Sequence, residues 1–401
     1  MTASETALPL HGTRVIELGH IVAGPTAGLI LADLGADVIK VENPDGGDQA
    51  RMTGFGFVNT NRNKRSIALD LKAPRGKDVF LRLIRSADIC LDNFAPGALD
   101  RLGLGYEVLA KENPRLIYLA IKGFLPGPYE MRPSLDELAQ MMGGLAYMTG
   151  PIGKPMRAGA SVIDVGAATY GVIGVLAGLL RRGVTGRGEM ITSALYETTV
   201  FWVGQWMARA FISGQRSVPM SAFGQSVRMG WGIFHLFDTA DEQQVFIGVT
   251  SNAHWDRFCK EFDLPELLAD ERLNTNQKRV AAQDWMLPVV RAAIAKVTSD
   301  ELQRRLEQCA VPYAPVRRPD ELADDPHLKA SNQLLPVPLA DGRVAPLPKL
   351  PYRSTGYDFS VRLPPPPLGG HTSEVLAEAG LTDDEIAALL TDKIAVQGPG
   401  K

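Results

Sequence analysis

Short runs of β-branched and aliphatic residues alternate with helical segments through the first 120 residues, and this alternation narrows the fold more than any other feature of the chain. Arg14 to Leu18 reads as a strand, Thr26 to Leu34 as a helix and Asp37 to Val41 as a second strand, joined by tight loops. That order favours a parallel sheet. Ser66 to Leu71, Ala87 to Leu91 and Leu116 to Ile121 continue the strand series. Pro74 to Arg85 is a helix that begins on a proline, where the missing N–H does no harm. The expected core is an α/β, doubly wound, Rossmann-like sheet with helices on both faces.

The small and apolar residues Ala167, Ala168, Gly171, Gly174, Ala177 and Gly178 lie between Asp164 and Arg182, where they would let a helix pack very close to its neighbours. Gly183 is its expected terminator. The stretch from Val165 to Leu180 reads as a buried helix too short to span a membrane. Asp164 falls where an N-cap or first-turn residue belongs, and aspartate is favoured there on capping grounds alone. Met190 to Ser193 gives a strand. Leu195 to Ile212 follows as an apolar helix, with Trp202 and Trp206 on one face as core or oligomer contacts.

After Gly214 the texture changes. Gly232 to Val249 resembles a β-hairpin turning at Ala240-Asp241, and polar helices run on to about Gln308. This divides the chain into a large domain over 1–215, a smaller α+β domain over 225–325 and a C-terminal segment over 330–401. Pro364 to Pro367 is an extended strap. A helix from His371 to Ala379 precedes Thr382-Asp383-Asp384-Glu385, which has the pattern of a capping box.

The 42 Lys+Arg against 45 Asp+Glu leave a formal net charge of -3 with no long run of one sign, which gives no argument for nucleic acid as a partner. Cys90, Cys259 and Cys309 show neither CxxC nor Cys/His spacing, so no disulfide frame and no metal site is expected, and a reducing compartment fits. Residues 1–10 contain Glu5 and lack a basic segment leading into an apolar one, which does not read as a signal peptide. The expectation is a cytoplasmic protein without a membrane partner.

Glu17-Leu18-Gly19-His20-Ile21-Val22-Ala23-Gly24-Pro25 ends a strand and opens a helix, the place where open α/β sheets bind ligands. It lacks the GxGxxG spacing of NAD or FAD sites, and no GxxxxGK[ST] loop for ATP occurs. His20 stands as a general base or as a structural hydrogen-bonding residue. No GxSxG elbow supports serine hydrolysis. The cluster Asn61-Arg62-Asn63-Lys64-Arg65 reads as a solvated turn or as a phosphate-facing patch.

Several blocks resemble the class III CoA-transferase family, also called the CaiB/BaiF family. They are Gly24-Pro25 through Leu34-Gly35-Ala36-Asp37 to Glu42; Asn61 to Ile67 running on to Leu69-Asp70; Asp92-Asn93-Phe94-Ala95-Pro96-Gly97 with Leu102-Gly103; Thr185-Gly186-Arg187-Gly188; and Pro365 to Thr372. The likeness runs almost end to end. It implies a large domain formed by both chain ends with the small domain inserted, in an interlocked homodimer. It implies coenzyme A thioesters as substrates and no permanently bound cofactor.

The resemblance further implies that Asp164 is the catalytic nucleophile, forming an aspartyl anhydride and then an aspartyl-CoA thioester, with nearby backbone N–H groups holding the oxyanion. CoA contacts carry over onto His20, Ile21, Val22, Leu69, Lys72, Asn93 and Arg101. Family members often have glutamine where Val22 stands, and an arginine soon after the position of Glu42, where Asn43-Pro44 occur here. Arg51 or Arg62 is the expected compensation. The helix start is expected to keep Asp164 ionised.

In Arg132-Pro133-Ser134-Leu135-Asp136-Glu137 the chain departs from α-methylacyl-CoA racemases, which resemble it but have a histidine directly before the acidic residue. Leu135 cannot exchange a proton, which favours transfer over epimerisation. The run on to Met148-Thr149-Gly150-Pro151 resembles transferases of C4 and C5 dicarboxylates more than those of oxalate or carnitine. The implied reaction moves CoA from succinyl-CoA to mesaconate, itaconate, citramalate, malate or glutarate. Its alternatives are intramolecular CoA transfer, acyl-CoA isomerisation or racemisation, formyl-CoA:oxalate-type transfer and a non-catalytic acyl-CoA binder. The distal carboxylate needs a cation. Arg228 is the first candidate and Arg157 the second, with Asp136 ordering the substrate site.

Overall fold

The computed structural model describes residues 8–222 and 230–399. These fall into two compact units, one comprising residues 8–146, 157–215 and 326–399 and the other 147–156, 216–222 and 230–325.

In the first unit, strands β1 (Arg14–Leu18), β2 (Asp37–Glu42), β3 (Lys64–Leu69), β4 (Ile89–Asp92), β5 (Ile117–Lys122) and β6 (Glu189–Ala194) form one parallel sheet in the order 3-2-1-4-5-6. A short strand, Ala395–Val396, pairs antiparallel with β3 and extends that edge. Almost every residue of the five strands from β1 to β5 is buried, as a sheet covered on both faces requires. The expected parallel α/β core is therefore present, and its order reverses between β1 and β4. Such a reversal opens a crevice at the carboxyl ends of the two strands.

Three helices frame that crevice: α1 (Ala23–Asp33), α2 (Asp136–Met142) and α3 (Val162–Thr185). Helix α3 packs on β5, β6 and α1. Gly171, Gly174 and Gly178 explain the approach, since a Cβ at Gly171 would lie 2.9 Å from Leu119 and one at Gly174 2.7 Å from Ile191. The helix runs past the expected stop at Gly183, where a side chain would meet open space, and ends at Gly186 with φ +72°. Gly188, in the same block, is fixed differently, since a Cβ there would lie 2.0 Å from the carbonyl oxygen of Leu116. Helix α3 is 24 residues long and contains an 18-residue window with a mean hydropathy of 1.8, long and apolar enough to cross a membrane by those two measures, which corrects the expectation of too short a stretch.

The charged cluster at residues 61–65 is neither a solvated turn nor a phosphate-facing patch. All five residues are buried. Arg62 makes an ion pair with Asp33 at 2.6 Å, Lys64 reaches Glu17 at 2.7 Å, and Arg65 holds Asp37, Glu374 and Glu378. The cations fasten helices and C-terminal segment to the sheet. The capping box at Thr382 and Glu385 is formed, and the helix Asp383–Thr391 follows it.

In the second unit, Ile233–Asp238 and Gln244–Val249 form the expected antiparallel hairpin, and Tyr313–Pro315 adds a third strand. Trp255, Phe258, Met286, Leu302 and Leu306 fill its core. Cys259 and Cys309 are buried free thiols here, as Cys90 is in β4.

Candidate active site

The reversal of strand order puts the residues after β1 beside those after β4. The side-chain oxygen of Asn93 accepts the backbone N–H of His20 at 2.9 Å, and its amide donates to the His20 carbonyl at 3.0 Å. Ile21 stands at φ +64°, a left-handed conformation that costs a β-branched residue roughly 1–2 kcal/mol. Asp48 accepts the Ile21 N–H at 2.9 Å and holds it there.

Beneath this loop lies a dry ionic cluster. Lys40 bridges Glu17 and Asp48, both at 2.9 Å, and Lys64 takes the other oxygen of Glu17. Lys40 also donates to the Gly19 carbonyl and Lys64 to that of Pro25, so two buried ammonium groups pin the peptide backbone of the loop directly. Burial lowers the Lys64 ammonium to about 8.

The loop forms one wall of a cavity of about 360 Å³. His20, Ile21, Val22, Asn93, Asp136 and Asp164 all line it, so six of the expected site residues come together. The ring of His20 sits 5.2 Å from that of Phe94, and burial lowers its pKa, which favours the neutral imidazole.

Asp164 stands in the first turn of α3, whose N-cap residue is Ser161. It does not cap the helix. Asp136, at the start of α2, does so from outside, accepting the N–H of Ile163 at 2.7 Å and of Asp164 at 3.0 Å. Gln140 donates to the other Asp136 oxygen and so holds the carboxylate in place. Burial raises the Asp164 carboxyl to about 7, with Asp136 and then Glu137 adding like-charge repulsion. Burial and the two neighbouring carboxylates thus oppose the ionisation that the helix start was expected to favour. These two helix-start N–H groups are also already engaged, so they are not available to an oxyanion.

Other expected residues lie elsewhere. Leu69 is buried in the core on β3, and its side chain cannot reach a ligand. Lys72 and Arg101 are exposed on the segments that follow β3 and β4, outside the cavity lining. Arg157 pairs with Glu137 at 3.2 Å, is half exposed and does not line the cavity. Arg228 lies outside the described residues. Arg51 chelates Glu42 at 2.6 and 2.7 Å and stacks 3.7 Å over Phe57, while Arg62 is paired with Asp33, and neither lines this cavity. Three cavity features went unread in the sequence: Lys122 and Arg132 on the lining, and Asp48 beneath the loop. The quoted block around Leu135 contained Arg132, but nothing in the spacing told which way it faces.

The chain can be compared with known proteins from this geometry. The sequence model of CoA-transferase family III matches residues 10–372. The chain is 35% identical over 386 residues to the succinate–glutarate CoA-transferase of Agrobacterium fabrum, covering 92% of this chain and 95% of that protein. It is 33% identical over 415 residues to the beta subunit of the succinyl-CoA–L-malate CoA-transferase of Chloroflexus aurantiacus, covering 98% and 100%. Among solved structures, a CaiB/BaiF family protein from Brucella suis superposes with a TM-score of 0.85 at 30% identity, covering 93% of this chain and 100% of that one.

Proposed function

The chain belongs to CoA-transferase family III, and from that we propose that it takes CoA from succinyl-CoA and delivers it to a C4 or C5 dicarboxylate, with Asp164 as the covalent nucleophile. Glutarate, malate, citramalate, mesaconate and itaconate are the acceptors to screen first, since the relatives above act on glutarate and malate.

The observation that carries this reading is the position of Asp164. Its side chain lines the same cavity as the loop at the strand-order reversal, and another residue has taken over the capping of its helix. The carboxylate attacks the thioester carbon, the C–S bond breaks, and CoA thiolate leaves a succinyl-aspartyl anhydride. The thiolate then attacks the Asp164 carbonyl and releases succinate, leaving an aspartyl-CoA thioester. The acceptor carboxylate attacks that thioester, forms a second anhydride and expels the thiolate. Attack of the thiolate on the acceptor acyl carbon regenerates the Asp164 carboxylate. No proton is gained or lost overall, so none of these steps needs a general base.

Racemisation is the weaker reading. Leu135 lines the cavity where the resembling racemases have a histidine, and it cannot relay a proton. We further propose an obligate, interlocked dimer. Helix α4 (Leu195–Ser213) presents Phe211 at 86% and Ile212 at 88% exposure, and α3 presents Val184 at 89%, apolar side chains that a partner chain would cover. The buried free thiols suit a cytoplasmic location.

Incubation with succinyl-CoA followed by peptide mass analysis tests the central step. An adduct on the peptide bearing Asp164, absent from Asp164→Ala and trapped by hydroxylamine or borohydride, is the expected result. Failure to trap anything there, with no acid accepting CoA, ends the proposal.

A further inference from the structure

Six ionisable side chains line the cavity: His20, Lys122, Arg132, Asp136, Glu137 and Asp164. Three are acidic. A second carboxylate entering with the substrate would meet repulsion from all three unless a cation received it. Most lining groups are already committed. Lys122 is bound to Asp92 and to the Phe94 carbonyl. Glu137 holds Arg157, and Asp136 holds the start of α3. Of the two permanent cations Arg132 is the exception, since its guanidinium makes neither ion pair nor hydrogen bond among the described residues.

The guanidinium is nonetheless placed. It stacks 4.1 Å over the ring of Tyr129, and the Arg132 N–H closes a turn onto the Tyr129 carbonyl at 2.8 Å. Tyr129 in turn packs edge-on against Phe124 at 5.6 Å and Tyr196 at 6.4 Å. A planar cation fixed on an aromatic platform keeps its N–H edge open and loses little entropy on gripping a carboxylate. Ile21, Ile121, Leu135 and Leu195 supply apolar lining of the same cavity, suited to the methylenes between two carboxyl groups.

We propose that Arg132 receives the distal carboxylate of the dicarboxylate and sets the preference for dicarboxylic over monocarboxylic acyl groups. This rests on the transferase reading and replaces Arg228 and Arg157 as the selecting cation.

The test is the first half-reaction, followed as CoA adduct on Asp164 in single turnovers with succinyl-CoA and with butyryl-CoA, its length-matched monocarboxylic counterpart. For Arg132→Gln the rate constant per unit succinyl-CoA should fall roughly 10- to 100-fold, the worth of one bidentate charge-assisted contact. The butyryl-CoA value should change less than about threefold, and Arg132→Lys should recover part of the loss. Equal losses with both thioesters would assign Arg132 to the CoA moiety and overturn the inference, as would no loss with either. If the unaltered protein labels Asp164 with neither thioester, the nucleophile itself is refuted and this inference falls with it. If labelling is normal, only the role of Arg132 is at stake.

Discussion

The carboxylate of Asp136 accepts the backbone N–H of Asp164 at 3.0 Å, so one aspartate caps the helix that carries the other. This leaves the Asp164 side chain, which lines the cavity, out of the capping of its own helix and puts a second negative charge close enough to oppose its ionisation.

Transfer should therefore depend on pH through Asp164. The nucleophile is the ionised form, so the rate of adduct formation should rise with pH around a midpoint near 7 and level off above about 8. Asp136→Asn, which keeps an acceptor oxygen and removes the charge, should lower that midpoint by roughly half a unit to one unit. A midpoint unmoved in Asp136→Asn would show that burial alone sets it.

The same carboxyl ties stability to pH. The unfolded chain releases this proton near 3.8 and the folded chain near 7, so across that window the folded state holds a proton that the unfolded state lacks, and stability falls as pH rises. The full shift caps the effect at about 4 kcal/mol, and solvent reaching a cavity-lining side chain reduces it to roughly 1–3 kcal/mol. Asp164→Asn should be more stable than the parent by that amount at pH 8 and gain little at pH 4. Denaturant titrations at the two values measure it.

Asn93 spends both ends of its amide on His20, which makes it a holder of the loop. Asn93→Ala should raise the KM for every CoA thioester by roughly 10-fold through the lost loop geometry, with a smaller change in kcat. A selective effect on one acyl group would contradict this.

Leu135 is half the distinction between transfer and racemisation. The unaltered protein should exchange no α-proton of a 2-methylacyl-CoA in deuterated water, and Leu135→His should gain measurable exchange, since the new imidazole would stand on the cavity wall. Deuterium uptake by the parent would reopen the isomerase reading.

The apolar surface of α4 gives the dimer its test. Sedimentation should report two chains at micromolar concentration, and replacing Phe211 and Ile212 together by aspartate should yield monomer or aggregate. A parent protein sedimenting as a monomer would refute the dimer.

Much of the fold was legible because its signals are local: a strand-helix-strand rhythm, a proline at a helix start, the capping box at Thr382. Buried charge was not. Arg62 and Lys64 read like surface residues because their partners are remote in sequence, Asp33 at the end of α1 and Glu17 on β1, and meet them only in the folded chain. The stop of α3 was misplaced by three residues because Gly183 and Gly186 look alike until the backbone shows which one adopts the left-handed turn. At the site, resemblance pointed to Asp164 and to the loop, which line one cavity. Arg132 on the same lining was not singled out, because which of several arginines faces a cavity depends on side-chain direction, which no spacing encodes.

The large unit is sewn from both ends of the chain, and this sets an order of events at the ribosome. Strand β3 receives Ala395–Val396 along its edge, and Arg65 receives Glu374 and Glu378, only once the C-terminal segment has emerged. From the end of β6 at Ala194 to Ala395, translation of roughly 200 residues at 5–20 per second takes on the order of 10–40 s. For that time the nascent sheet has an open edge and uncompensated cations, which makes the half-made chain a natural client for chaperones that shield strand edges.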